Sequence, residues 1–211
     1  MNVRFYFWLF AILPIYGCFL PVSTMFESAH SLEPGEIKLI VAGSVNPETR
    51  SHLPGASITS IMDHGVTSNM DMRYRVERRF EGFEGDIMVG DYTVSSPPYT
   101  FFEISPKWSV NSGGFAFALP LQLYAVDGEG SLMFTDPRFI FTKRNKESNF
   151  EVTGIIRSQL GVMDGEFVAI PGASIGLGFS EDWDKKSLRM DVGFTSLRSV
   201  TFGLGFQTKL K

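Results

Sequence analysis

Apolar and polar residues alternate along most of the chain after residue 32, a pattern typical of β-strands that have one apolar face. The C-terminal part shows it most clearly, in Ser187–Thr195 and again in Val200–Gln207. The apolar face of these two runs consists of Leu188, Met190, Val192, Phe194, Val200, Phe202, Leu204 and Phe206. Because a short turn around Leu197 and Arg198 separates the runs, they predict an antiparallel hairpin.

A second hairpin is predicted at Ile58–Arg78, with residues 64–69 as its turn. After the turn, one face carries Met70, Met72, Tyr74 and Val76, and the other carries Asp71, Arg73, Arg75 and Glu77. A face with this density of charge lies either in bulk water or in a wet barrel interior, where alternate signs pair with one another.

The same alternation predicts further strands, and no run after Cys18 has a sustained helical period. These candidates cover residues 37–42, 56–62, 85–92, 99–107, 115–124, 132–142, 150–160 and 167–179. Turn signals recur at intervals of about 10 to 15 residues, which is the spacing of an up-and-down meander. We therefore predict an all-β fold, a single up-and-down antiparallel β-barrel preceded by a signal peptide.

The number of strands is constrained by barrel closure. The pattern contains eleven candidates, whereas a closed antiparallel barrel with both termini at one end needs an even number. The weakest candidates are 85–92 and 99–107, the second because Pro106 cannot donate a ladder hydrogen bond. One of these two runs is thus a candidate loop, and we predict about ten strands, within a range of about eight to twelve.

The polar face carries ionisable groups on several strands. These candidate lumen charges are Asp71, Arg73, Arg75, Glu77, Asp136, Arg138, Glu151, Arg157, Arg189 and Asp191. A soluble barrel would turn them towards water, and a membrane barrel would turn them inward; periodicity is compatible with both. Small residues on the same face, such as Gly176 and Gly203, suit a crowded and charged lumen, so we predict that the charges point inward.

The first 17 residues predict a signal peptide, because Arg4 precedes an apolar run from Phe5 to Ile15. That run of about 11 residues is shorter than the roughly 20 that span a bilayer as a helix. The sequence Ile15-Tyr16-Gly17-Cys18 is similar to a bacterial lipobox, which implies lipidation of Cys18; an incidental apolar cysteine is the alternative. We expect a tether at residues 18–31 and the β-barrel domain at 32–211.

The composition bears on the number of domains, on nucleic-acid binding and on what surrounds the apolar face. The 211 residues show no break that would divide them into two domains. The net charge of −4 comes from scattered charges of both signs, so no basic stripe predicts a nucleic-acid partner. The 20 phenylalanines suit a large core or a lipid-facing band better than a surface in water.

A family resemblance supports the membrane alternative. The segment from His64 to Arg75 resembles the Y-G-(L/V)-T-D-x-(L/M)-D-(L/M)-x-(L/Y)-R hairpins of bacterial outer-membrane β-barrel proteins. Leu32–Glu36, which follows the lipobox-like cysteine, is similar to the start of the lipoprotein-type members. The resemblance implies a place in the outer membrane of a bacterial cell envelope, with membrane lipid and the outer-membrane insertion machinery as partners.

No catalytic or cofactor site is predicted. The three histidines, His30, His52 and His64, fall in the tether, a loop and a turn, and there is no thiolate metal site or calcium loop. We expect a non-enzymatic protein without a cofactor, acting in envelope structure or in passage of a small solute. The alternative is a soluble periplasmic, lipocalin-like barrel lipoprotein that binds a lipid or another apolar ligand in a dry interior.

Overall fold

The computed structural model describes residues 24–46, 55–80, 87–89, 92–94, 98–110, 114–126, 130–145, 147–163, 166–195 and 199–210. These residues form strands and no helix, and none of them belongs to a helix that could cross a membrane. The strands are β1 (Ile37–Asn46), β2 (Gly55–Thr67), β3 (Met70–Phe80), β4 (Ile87–Val89), β5 (Tyr92–Val94), β6 (Tyr99–Val110), β7 (Phe115–Ala118), β8 (Leu121–Val126), β9 (Gly130–Thr135), β10 (Arg138–Asn145), β11 (Phe150–Met163), β12 (Glu166–Asp182), β13 (Lys186–Thr195) and β14 (Ser199–Leu210).

Twelve of these strands form one antiparallel sheet that closes on itself. The closing seam joins the first and last strands, since β1 pairs with both β2 and β14. β7 and β8 both pair with β6, and β9 and β10 both pair with β11, so each pair forms one interrupted barrel strand. The result is a closed up-and-down barrel of ten strands, which confirms the predicted fold class and strand number.

Of the two weakest candidate strands, 85–92 and 99–107, only the second belongs to the barrel wall. Of the run 85–92, the described residues belong to β4 and β5, which form a two-stranded sheet that is not hydrogen-bonded to the barrel sheet. The run 99–107 lies in β6, which is a full barrel strand despite Pro106. The backbone of Pro106 faces the break between β7 and β8, where its carbonyl accepts a hydrogen bond from the Leu119 amide at 3.0 Å. The missing donor of Pro106 therefore falls where the neighbouring strand is itself interrupted.

Alternate residues of each barrel strand face opposite sides of the wall, and the apolar ones face outward. The pairing of Met190 with Leu204 confirms the predicted C-terminal hairpin. The side chains of Met190 and Leu204 are 47 % and 54 % exposed. The intervening Arg189 and Asp191 are buried. The barrel thus has the reverse polarity of a water-soluble fold, with apolar side chains outside and charged ones inside.

Residues 24–32, named here the inner segment, lie inside the barrel. Met25 and Ala29 pack against Ala116, Ile140 and Ile155 on the wall. Phe26 packs against a second apolar group of the wall, formed by Ile40, Ala42 and Ile61. The structure therefore revises the predicted tether, because residues 24–31 belong to the barrel interior. Residues 18–23 and the predicted signal peptide lie outside the described residues.

A tight turn at Glu33–Glu36 leads from the inner segment into β1. Gly35 has a φ of 84°, a left-handed conformation that favours glycine. The Gly35 amide donates to the Gly65 carbonyl at 2.8 Å, and the Gly65 amide donates to the Glu36 carbonyl at 2.9 Å. These two hydrogen bonds fasten the turn to β2 and fix where the inner segment leaves the barrel.

Replacement of Gly65 by alanine tests this attachment. A Cβ at residue 65 would lie 2.1 Å from the Glu33 carbonyl oxygen, a backbone atom, so the turn must move. We expect a loss of about 1–3 kcal/mol in the free energy of unfolding, the usual cost of overpacking. The control is Gly43→Ala, because a Cβ there has its nearest contact at 3.9 Å. Equal unfolding midpoints for the two variants in denaturant titrations would contradict the attachment.

Candidate functional site

The barrel interior is the candidate functional site, because it collects nearly all of the buried charge of the described residues. The ten predicted lumen charges all lie there with at most 4 % exposure: Asp71, Arg73, Arg75, Glu77, Asp136, Arg138, Glu151, Arg157, Arg189 and Asp191. Nine of them project inward because each alternates with outward-facing neighbours on its strand, and Asp136 lies in the break between β9 and β10. Ionisable side chains are almost never buried to this degree unless they are paired.

Sequence reasoning missed six further ionisable residues of the interior. They are Glu27, Lys38, Asp63, Arg79, Glu103 and Lys107, each at most 5 % exposed. For the strand residues the signal was present: Glu103, for example, alternates with the outward-facing Phe102 and Ile104. Glu27 lies in no strand, so no periodicity marked it.

The largest ionic network surrounds Arg138. Its guanidinium donates to Glu103 at 2.5 Å, to Asp136 at 3.0 Å and to Glu27 of the inner segment at 3.2 Å. Arg157 also donates to Asp136, at 2.7 Å. The network therefore joins β6, β9–β10 and β11 to the inner segment.

A second network surrounds Asp63 of β2. Arg73 donates to both of its carboxylate oxygens, at 2.7 and 3.0 Å, in the two-pronged geometry that arginine favours with carboxylates. Lys38 reaches the same carboxylate at 2.7 Å. Arg73 also donates to the Met25 carbonyl at 2.8 Å, so this network too extends to the inner segment.

A third network lies close to the barrel end at which β1 begins. Glu151 accepts from Arg189 at 2.5 Å and from Arg144 at 2.7 Å. The Arg144 guanidinium lies 4.3 Å from the centre of the Trp183 ring, a cation–π arrangement. Trp183 thereby covers part of this barrel end.

The backbone of the inner segment is held by side chains of the wall. Carbonyl oxygens of the segment accept from Arg73, Lys107, Ser109 and Arg189. Amides of the segment donate to Asp71, Thr142 and Asp191. These side chains take the place of a neighbouring strand in satisfying the buried backbone groups of the segment.

Among the described residues, the ionisable side chains that are at most 5 % exposed balance in charge only when the inner segment is counted. The fully buried basic residues are Lys38, Arg73, Arg75, Arg79, Lys107, Arg138, Arg157 and Arg189, eight in all. The fully buried acidic residues are Asp63, Asp71, Glu77, Glu103, Asp136, Glu151 and Asp191 on the wall, with Glu27 from the segment as the eighth. Glu27 thus supplies the negative charge that the wall lacks.

Several polar groups of the interior have no hydrogen-bond partner among the described residues. They include Nε of Arg75 and Oγ of Ser174, and such groups are commonly hydrated. His30 lies 3.8 Å from Glu151, and His64 lies in β2; His52 is outside the described residues. Among the described residues, no group of three or more His, Cys, Asp or Glu is arranged to hold a metal ion.

Comparisons with known proteins add little. No protein-family model and no curated protein matches the sequence. One similar solved structure is Ail, the attachment invasion locus protein of Yersinia pestis, at 8 % sequence identity and a TM-score of 0.34, covering 85 % of this chain and 100 % of that one.

Proposed function

We propose that this protein is an outer-membrane β-barrel of a bacterial cell envelope and that its primary role is structural. The observation that carries the proposal is the reversed polarity of the barrel. Outward side chains such as Phe139, Ile156, Phe202 and Leu204 are 46 to 61 % exposed, while the ionisable residues point inward. In water, an apolar surface that surrounds the barrel would far exceed the few hundred Å² that a soluble monomer tolerates.

The interior supports a structural role over an open channel. A ten-stranded barrel is close to filled by its own side chains, and here the inner segment occupies part of the remaining space. The interior networks tie β1, β2, β3, β6, β9–β10, β11 and β13 to one another or to that segment. Passage of a small solute therefore requires that the segment moves.

The soluble alternative needs a dry, apolar interior for its ligand. The interior described here holds charged networks and a peptide segment instead, so no observation favours the lipocalin-like alternative. We assign no catalysis to the protein. Its partners in the proposal are membrane lipid and, during assembly, the outer-membrane insertion machinery.

The two barrel ends differ in a way that suggests an orientation. β1 begins and β14 ends at the same barrel end, where the connections between strands have two to four residues. The opposite end carries the longer connections 47–54 and 81–98. Outer-membrane barrels have short periplasmic turns and longer outer loops, so the end at which β1 begins faces the periplasm in the proposal.

Lipidation of Cys18 is a second part of the proposal. Cys18 lies outside the described residues, and the support is the lipobox-like sequence around it. Thr24, the first described residue, is fully buried in the barrel. A lipidated Cys18 would therefore anchor a chain that is already enclosed by the barrel only six residues later.

Membrane fractionation of the Cys18→Ser variant separates the integral barrel from the alternatives. We expect the variant to stay in the membrane after carbonate extraction and to migrate differently with and without heating in detergent, because the strands themselves span the bilayer. Loss of labelled fatty acid from the same variant tests the lipid anchor. Release of the variant as a soluble protein would refute the integral barrel, whereas label uptake by the variant would refute only the lipidation of Cys18.

A further inference from the structure

The inner segment is enclosed by the barrel without being part of its wall. None of the described strand pairings includes residues 24–32, and the ring of strands closes through β1 and β14. The segment is held by hydrogen bonds, by ion pairs of Glu27 and by apolar contacts of Met25, Phe26 and Ala29. All of these contacts are non-covalent, so the segment can in principle leave while the wall stays intact.

The wall is shaped to receive the segment. A Cβ at Gly203 would lie 2.6 Å from both Phe26 and Thr24, and a Cβ at Gly205 would lie 3.1 Å from Phe26. Glycine at these two positions therefore leaves the room that the segment occupies. On the neighbouring strand, a Cβ at Gly193 would meet no described atom within 4 Å.

Withdrawal of the segment would leave an excess of positive charge on the described part of the wall. Four basic side chains contact the segment, namely Arg73, Lys107, Arg138 and Arg189. Among the described residues, two acidic side chains of the wall accept hydrogen bonds from it, Asp71 and Asp191, and Glu151 lies 3.8 Å from its His30. Without Glu27, the fully buried charges of the wall are eight basic and seven acidic.

We propose that the inner segment is a removable plug and that the barrel without it conducts small anions. The proposal rests on the membrane insertion proposed above. A path with excess positive charge and low-dielectric walls concentrates anions and repels cations. Because side chains still fill much of a barrel of this size, the conducted species are small inorganic or organic anions.

Planar-bilayer recordings of the purified full-length chain, of a variant lacking residues 24–32 and of Gly203→Val test the proposal. The valine variant keeps the whole chain but places side-chain atoms where Phe26 and Thr24 lie. We expect no conductance steps from the original protein and clear steps from both variants. In a potassium chloride gradient, the reversal potential of the variants should move towards the chloride equilibrium potential.

Gly43→Val is the matched control, because it makes the same change on the outward face of β1, opposite Leu204. It should behave as the original protein does. Flotation with vesicles and heat-dependent migration report insertion separately, so failure of the original protein to insert refutes the proposed function and not the plug. Folded variants that do not conduct, or that select cations, would overturn the proposal. So would the failure of both variants to form a heat-modifiable barrel, since the segment would then be an integral part of the fold.

Discussion

Replacement of Arg138 by methionine is expected to lower the free energy of unfolding by about 3–5 kcal/mol, as is usual when one partner of a buried ionic network is removed. Arg138 is fully buried and donates to Glu103, Asp136 and Glu27. Methionine fills a similar volume but leaves three carboxylates with less compensation in the barrel interior. Arg157 would still contact Asp136, while Glu103 would lose its arginine partner.

Denaturant unfolding of the barrel in lipid vesicles measures this loss. Lys185→Met is the control, because its ion pair with Asp182 is exposed, although their hydrogen bond raises the pKa of the Lys185 amine. Exposed pairs of this kind contribute about 0–1 kcal/mol. If Arg138→Met unfolded at the same denaturant concentration as Lys185→Met, the interior network would have no structural role.

Replacement of Leu204 by arginine is expected to lower the free energy of unfolding by about 2–4 kcal/mol, the cost of an arginine on the lipid face near the middle of a bilayer. Leu204 lies in the middle of β14 and is 54 % exposed on the outer wall. In a water-soluble barrel the same arginine would lie in solvent and would cost little. The substitution therefore distinguishes lipid from water around the barrel.

Leu210→Arg on the same strand and the same face provides the matched comparison. Leu210 is 44 % exposed and closes β14, so it lies near the end of the barrel. Near a bilayer interface the cost of an arginine falls to about 0–1 kcal/mol. Equal effects of the two substitutions on unfolding in vesicles would argue against a barrel that spans the bilayer with β14.

Much of the wall could be predicted from the sequence, because strand periodicity is a local signal. The alternation of Asp71, Arg73 and Arg75 with Met72 and Tyr74 separates the two faces without knowledge of any other strand. The alternation alone does not say which of the two faces points into the barrel. The small residues of the polar face indicated that this face points inward. Gly203 and Gly205 are small because they adjoin the inner segment, a more specific reason than general crowding.

The inner segment could not be predicted, because its position depends on long-range contacts. Nothing in Thr24–Leu32 alternates, and its backbone partners, such as Lys107 and Asp191, are distant in sequence. Some inward residues also break the polar rule of the inner face. Ile140 and Ile155 are apolar because they pack against Met25 and Ala29. Strand periodicity does not reveal that the inner segment lies beside them.

The seam between β1 and β14 has a consequence for how the protein is assembled. Ile37 pairs with Leu210, so the cylinder closes only after β14 has been made. The inner segment precedes β1 and lies inside that cylinder. The inner segment therefore leaves the ribosome before β14, the strand that completes its enclosure. If the strands surround the segment while the seam is still open, the segment does not have to be threaded lengthwise through a closed barrel. The order of events in biogenesis is thus constrained by topology, with seam closure as the step that traps the N-terminal part of the chain.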